Sequence, residues 1–175
     1  MSQDIFKGKL KETKVIVEGV DAIKLWNYGY YGEFRNGILE LSAFEALYLV
    51  NRGKLKVFND CNEELNFSSL LNFFLKIDHN IWIKYLIYSD LRKRGYIVKP
   101  GFGTKISFRV YRRGAEIGKE PAKYLVYGIV EGKPIELSEL SEMVKEARST
   151  RKELILAIVD RQGEVTYYDV TCVRL

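Results

Sequence analysis

Apolar residues alternate with polar ones over residues 6–10 and 14–17, the period of a strand with one buried face. They then recur at helical spacing over 20–28, until Gly29 and Gly32 interrupt them. A strand is predicted over 37–41. Ser42-Ala-Phe-Glu45 follows, a serine with a glutamate three residues on, which opens a helix through Val50 in the manner of a capping box; Gly53 stops it. Residues 54–58 form another predicted strand. After a polar stretch over 59–64, helical spacing returns over 67–75 and 81–91, and Gly95 ends the second run. From there the period changes. Residues 96–99, 106–112 and 123–130 alternate or run apolar in short segments bounded by glycine and proline, as strands do. A helix is predicted over 139–148, its start carrying Glu139 and Glu142 and its end Lys145 and Arg148, both suited to the helix dipole. Two strands close the chain, 154–159 and 164–173, joined by Asp160-Arg-Gln-Gly163, whose glycine suits a hairpin turn.

Helices early and strands late predict an α/β (α+β) chain: a small mixed α/β domain over 1–80, then an α/β domain with a mixed sheet over 81–175. No proline-, glycine- or serine-rich linker, internal repeat or low-complexity tract marks the join. With 175 residues and 47% hydrophobic content, the chain has material for a packed core. No apolar stretch approaches the roughly 20 residues that span a bilayer, and Met1-Ser-Gln-Asp4 lacks the basic start of a signal peptide. A cytoplasmic protein with no membrane partner is expected. Cys61 and Cys172 stand far apart without CxxC spacing, and the single histidine, His79, is too few for the usual zinc sites, so no metal, cofactor or disulfide framework is expected.

The net charge of +5 matters less than its distribution: residues 92–113 hold eight basic side chains, Arg92, Lys93, Arg94, Lys99, Lys105, Arg109, Arg112 and Arg113, and no acidic one. Such clustering favours a polyanionic partner. Catalytic motifs are scarce. Gly101-Phe-Gly103-Thr-Lys105 lacks phosphate-loop spacing and leads into a strand where a phosphate loop leads into a helix. A Ser/His/Asp triad would have to use His79, in an amphipathic segment, and Glu116 and Glu120 lie in a loop beside several lysines.

Order and spacing of longer pieces say more. Tyr30-Tyr-Gly32, Leu39-Glu-Leu-Ser42 and Glu45-Ala-Leu-Tyr-Leu-Val-Asn-Arg-Gly53 resemble the N-terminal domain of the archaeal tRNA-splicing (tRNA-intron) endonucleases. Tyr88-Ser-Asp-Leu-Arg-Lys-Arg-Gly-Tyr96, Phe108-Arg-Val-Tyr111, Tyr124-Leu-Val126, Thr150-Arg-Lys152 and Thr166-Tyr-Tyr168 continue the resemblance, in order, into their nuclease domain. The resemblance implies a metal-independent reaction in which a ribose 2′-hydroxyl attacks the adjacent phosphate in line, leaving a 2′,3′-cyclic phosphate and a free 5′-hydroxyl. In the family a tyrosine helps remove the 2′ proton, a histidine protonates the departing 5′ oxygen and a lysine holds the charge building on the phosphoryl oxygens.

The matching positions here are Tyr111, Pro121 and Lys152. Proline has no titratable group, so the acid is missing and the catalytic pair Tyr111 and Lys152 is vestigial. The family also grips unpaired bulge nucleotides with an arginine seven residues before the lysine; that residue here is Lys145, which keeps the charge but not the flat guanidinium. The expected RNA contacts are Arg92, Lys93, Arg94, Lys105, Arg109, Arg112, Arg113, Lys145 and Arg148. The resemblance implies a structural subunit of a heterotetramer, partnered by a histidine-bearing catalytic paralogue and acting on precursor tRNA. Its expected subunit interface is the loop carrying Asp160 and Glu164, with the last strand, 165–175, including Val165, Tyr167 and Val170. Two alternatives stay open: an active enzyme whose acid is Lys119, Glu120 or a water, and a stand-alone RNA-binding protein.

Overall fold

The computed structural model describes residues 4–102, 105 and 107–173. The chain divides into two compact units, Met1–Tyr88 and Ser89–Leu175, with both helices and mixed sheets, an α+β fold.

The first unit holds β1 (Phe6–Lys11), β2 (Lys14–Glu18), α1 (Gly19–Gly29), β3 (Glu33–Arg35), β4 (Ile38–Leu41), α2 (Ala43–Asn51), β5 (Leu55–Phe58), β6 (Glu64–Leu65) and α3 (Phe67–Leu75). The division falls within α4 (Ile81–Lys93). The sheet order is β3-β4-β2-β1-β5-β6, with β1 and β5 parallel. Alternation along β1 buries Phe6, Gly8 and Leu10 and exposes the three lysines between and after them. Val15, Val17, Leu39 and Leu41 bury the same face, and Ala22 and Leu25 of α1 are fully buried too.

The predicted capping box at Ser42 forms, and it does more than cap. Glu45, 1% exposed, accepts the Ser42 N–H at 2.9 Å and the Ser42 hydroxyl at 2.7 Å on one oxygen, and the Gly32 N–H at 2.8 Å on the other. Gly32 sits at φ +65°, where a Cβ would lie 2.5 Å from the carbonyl oxygen of Glu40. Gly32→Ala should therefore destabilise the first unit by about 2 kcal/mol, read as a lowered urea midpoint with an unchanged slope. Periodicity does not reveal β3, because three exposed residues are too few to show it. The local signal is Asn36-Gly37, whose two positive φ angles close the β3–β4 hairpin in a two-residue turn.

The second unit holds β7 (Ile97–Pro100), β8 (Ser107–Tyr111), β9 (Tyr124–Val130), α5 (Leu137–Ser149), β10 (Glu153–Val159) and β11 (Val165–Val170), in the sheet order β11-β10-β9-β8-β7. β9 and β10 are parallel, joined through α5, and the other pairs are antiparallel. Leu125, Tyr127 and Leu154 pack with Met143 and Ala147 of α5, which fixes the helix to one face of the sheet. The last strand was expected to run to residue 173 but stops at Val170. Its pairing ends at Leu154↔Val170 because β10 begins one residue earlier, where the chain leaves the α5 turn. Ile106 at the expected start of β8, Gly103 and Thr104 of the glycine segment, and residues 174–175 of the expected final strand lie outside the described residues.

Candidate functional site at one end of the second sheet

Register, rather than sequence proximity, brings Tyr111 and Lys152 together. The last paired residues are Val110↔Tyr124 on one side of β9 and Glu153↔Tyr124 on the other. One step further, the Lys123 N–H donates to Val110 O at 3.0 Å and the Glu153 N–H donates to Lys123 O at 3.0 Å. Tyr111 and Lys152 thus flank Lys123 in a single row at the end of the sheet. Two strand widths, roughly 10 Å, separate their backbones, and alternation directs both toward the face that carries α5. Both are half-buried.

Lys152 is positioned by the way α5 ends. The Arg151 N–H donates to Arg148 O at 3.0 Å and the Lys152 N–H to Ala147 O at 2.8 Å, the paired bonds of a Schellman cap. Arg151 takes the left-handed position at φ 54°, where glycine is usual. The Lys152 ammonium donates to Thr150 O at 3.0 Å, and the side chain lines a cavity of about 410 Å³ with Arg148 and Asp169 over Val144, Ala147 and Leu154.

Pro121 stands exposed in the β8–β9 loop, which buried Ala115 and Ala122 anchor at either end. Within that loop Lys119 pairs with Glu116. The single histidine, His79, lies exposed in the turn between α3 and α4 of the first unit. Among the described residues no group of three or more His, Cys, Asp or Glu side chains could hold a metal ion, and no helix is long and apolar enough to cross a membrane.

Residues 81–167 match the family model of the tRNA intron endonuclease catalytic C-terminal domain, and residues 6–71 match that of the tRNA intron endonuclease N-terminal domain. The chain belongs to the tRNA intron endonuclease family. It is 40% identical to the tRNA-splicing endonuclease of Thermococcus onnurineus, over 95% of each chain. It is 39% identical to that of Methanococcus vannielii, over 95% of this chain and 94% of the relative. The tRNA-splicing endonuclease of Methanococcoides burtonii is 37% identical over 97% of this chain, which spans 47% of that relative's length.

In this tRNA intron endonuclease family member the basic run of residues 92–113 does not form one patch. Arg94 pairs with Asp90 at 2.7 Å and lies 5.4 Å over the Tyr167 ring, whereas Lys105 pairs with Glu139 of α5 at 3.2 Å. Arg109 donates to Pro100 O at 2.9 Å and covers Phe102, and Arg92 donates to Tyr96 O. Lys99 is 6% exposed, which removes it from the expected surface cluster. Lys93, Arg112 and Lys145 are exposed, and Arg148 donates to Cys172 O at 2.6 Å. Sequence clustering misleads here because the run passes through the end of α4, two strands and their connecting loops, which set its cations against different partners; the two strand cations, Lys99 and Arg109, face each other across β7 and β8.

The expected interface residues also separate. The Asp160 carboxylate accepts the N–H groups of Gln162 and Glu164 at 2.8 and 2.9 Å and so shapes its own turn, while Glu164 is exposed. Val170 packs beneath α5, and the Tyr167 hydroxyl donates to Asp90 at 2.7 Å. Burial, and then this bond to Asp90, push the Tyr167 phenol well above its usual range; burial and a bond to Glu146 do the same for Tyr127. Both phenols therefore stabilise the fold fully below about pH 10, and this is lost as the pH rises through that value toward the folded one. In an ultraviolet titration Tyr127→Phe and Tyr167→Phe should each lower by one the number of tyrosines that resist ionisation at about pH 11.

Proposed function

We propose that this chain is the structural, non-catalytic subunit of a tRNA-splicing endonuclease, joined in a heterotetramer by a histidine-bearing paralogue that cuts precursor tRNA at bulge-helix-bulge sites. The observation that carries this is Pro121, a residue without a proton to give, on the loop that should present the general acid. The row of Tyr111 and Lys152 supports it from the other side, since both roles that need no proton donation remain filled. A phenol oxygen can draw off the 2′ proton and an ammonium can steady the phosphoryl oxygens, yet the departing 5′ oxygen would leave as a costly alkoxide. Lys119, engaged with Glu116, is a poor substitute.

Assembly is supported by β11, which pairs only with β10 among the described residues and so presents an open strand edge. Glu164 at its start supplies an exposed carboxylate for a basic surface on the partner, and Asp160 holds the turn that presents it. The exposed cations Lys93, Arg112 and Lys145 would contact RNA phosphates.

Mixing tests the proposal. The purified chain should leave a bulge-helix-bulge RNA intact, and addition of the paralogue should yield 2′,3′-cyclic phosphate and 5′-hydroxyl ends at a rate about 10²- to 10⁴-fold above the chain alone. Cleavage by the lone chain at the mixed rate would overturn it. RNA binding with a steep salt slope and no association with the paralogue would instead favour a stand-alone RNA-binding protein.

A further inference from the structure

At the same end of the second sheet, on the face opposite α5, aromatic rings and cations interleave. Tyr124 pairs in register with Val110 and Glu153, and alternation turns it away from Leu125 and Tyr127, which pack under α5. The Tyr96 ring meets the Tyr124 ring edge-on, with centroids 6.4 Å apart. The Arg113 guanidinium lies 4.9 Å from the centre of the Tyr96 ring, and the Lys123 ammonium 4.8 Å from that of Tyr124. Lys123 also pairs with Glu153 at 3.2 Å, so its charge is partly answered. Arg112 and Arg113 have no carboxylate partner among the described residues, and both are exposed.

We infer that Arg113, Tyr96 and Tyr124 form a stacking platform for an unpaired RNA base, with Arg112 holding an adjacent phosphate. This rests on the reading of the chain as an RNA-binding endonuclease subunit and adds a surface separate from the Tyr111–Lys152 row. The chemistry selects the ligand. A guanidinium spread over a phenol ring presents a flat, weakly hydrated outer face on which any base can stack, and the adjacent free cation suits the phosphate of the same nucleotide. A paired base has both faces covered by its neighbours, so the platform selects single-stranded or bulged nucleotides. It lies across the sheet end from Lys152, so one strand turning over that end would meet the platform and the lysine with neighbouring nucleotides. It also supplies stacking that Lys145 cannot, since an ammonium has no flat face to offer.

The test uses the full chain and a bulge-helix-bulge RNA with 2-aminopurine in the bulge. Wild type should quench the probe on binding. Tyr96→Leu and Arg113→Ala should bind roughly tenfold more weakly and quench little. Arg113→Lys should keep the salt dependence of binding while losing the quench, which separates stacking from charge. Arg112→Ala should weaken binding and flatten the salt slope by about one ion without changing the quench at saturation. Both arginines are exposed, and an unchanged thermal transition in their variants shows that folding is intact. If wild type binds with no quench, or if Arg113→Ala binds and quenches as wild type does, the platform is wrong while the broader reading stands. If the wild-type chain binds no RNA, alone or with the paralogue, that broader reading fails and the platform falls with it.

Discussion

Pro121→His is expected to raise single-turnover cleavage of a bulge-helix-bulge RNA by the chain from background by about 10²-fold, still well short of a catalytic paralogue. A positioned general acid is worth about 10²- to 10⁴-fold, and the substitution returns an imidazole to a loop whose ends are already anchored by Ala115 and Ala122. The new backbone N–H is exposed, so water satisfies it and the change should fold. Two things hold the gain down. In the role proposed for it, Lys145 would grip a bulged base without a flat cation, a loss of about 1 kcal/mol, or roughly fivefold. The Lys152 ammonium is engaged with the Thr150 carbonyl and must let go to meet a phosphate. Pro121→His with Lys145→Arg should recover the fivefold. Full paralogue activity from Pro121→His alone would refute the role given to Lys145. No gain from either variant would mean that Tyr111 and Lys152 serve packing and surface only.

The largest stability effect should come from Glu45→Ala, about 3 kcal/mol, or a fall of roughly 12–24 °C in the melting temperature of the first unit. One buried carboxylate serves the helix start at Ser42 and the loop N–H of Gly32. Truncation therefore leaves two backbone donors unanswered, one in a buried bond, and opens a cavity as well. Glu45→Gln keeps the shape and one acceptor oxygen, so it should lose about half as much. Denaturant unfolding of both variants checks this. Equal effects would show that the charge, rather than the number of accepted bonds, is what the site needs.

The capping box shows how far local reading reaches. Ser42 and Glu45 are three residues apart, so their bond is visible in order alone. The Gly32 N–H is thirteen residues from Glu45, and only the packing of the α1–β3 loop against α2 brings it within reach. Asn36-Gly37 carries a turn signal, yet the predicted strand over 37–41 starts inside that turn, and the strand before it is too short for its period to register. Lys123 illustrates the opposite failure. Nothing in its neighbourhood marks it, yet it sits between Tyr111 and Lys152 once three strands align.

Amino-acid order by itself determined the longer elements, the α+β class, the family, and the absence of a proton donor at position 121. These depend on side-chain period, on turn chemistry and on residue identity, all of which are local. Only the tertiary structure decided which distant residues share a row, that the cations of the basic run go to different partners, and that Asp160 serves its own turn. Strand register and helix packing set those outcomes, and each arises from contacts between segments far apart in the chain.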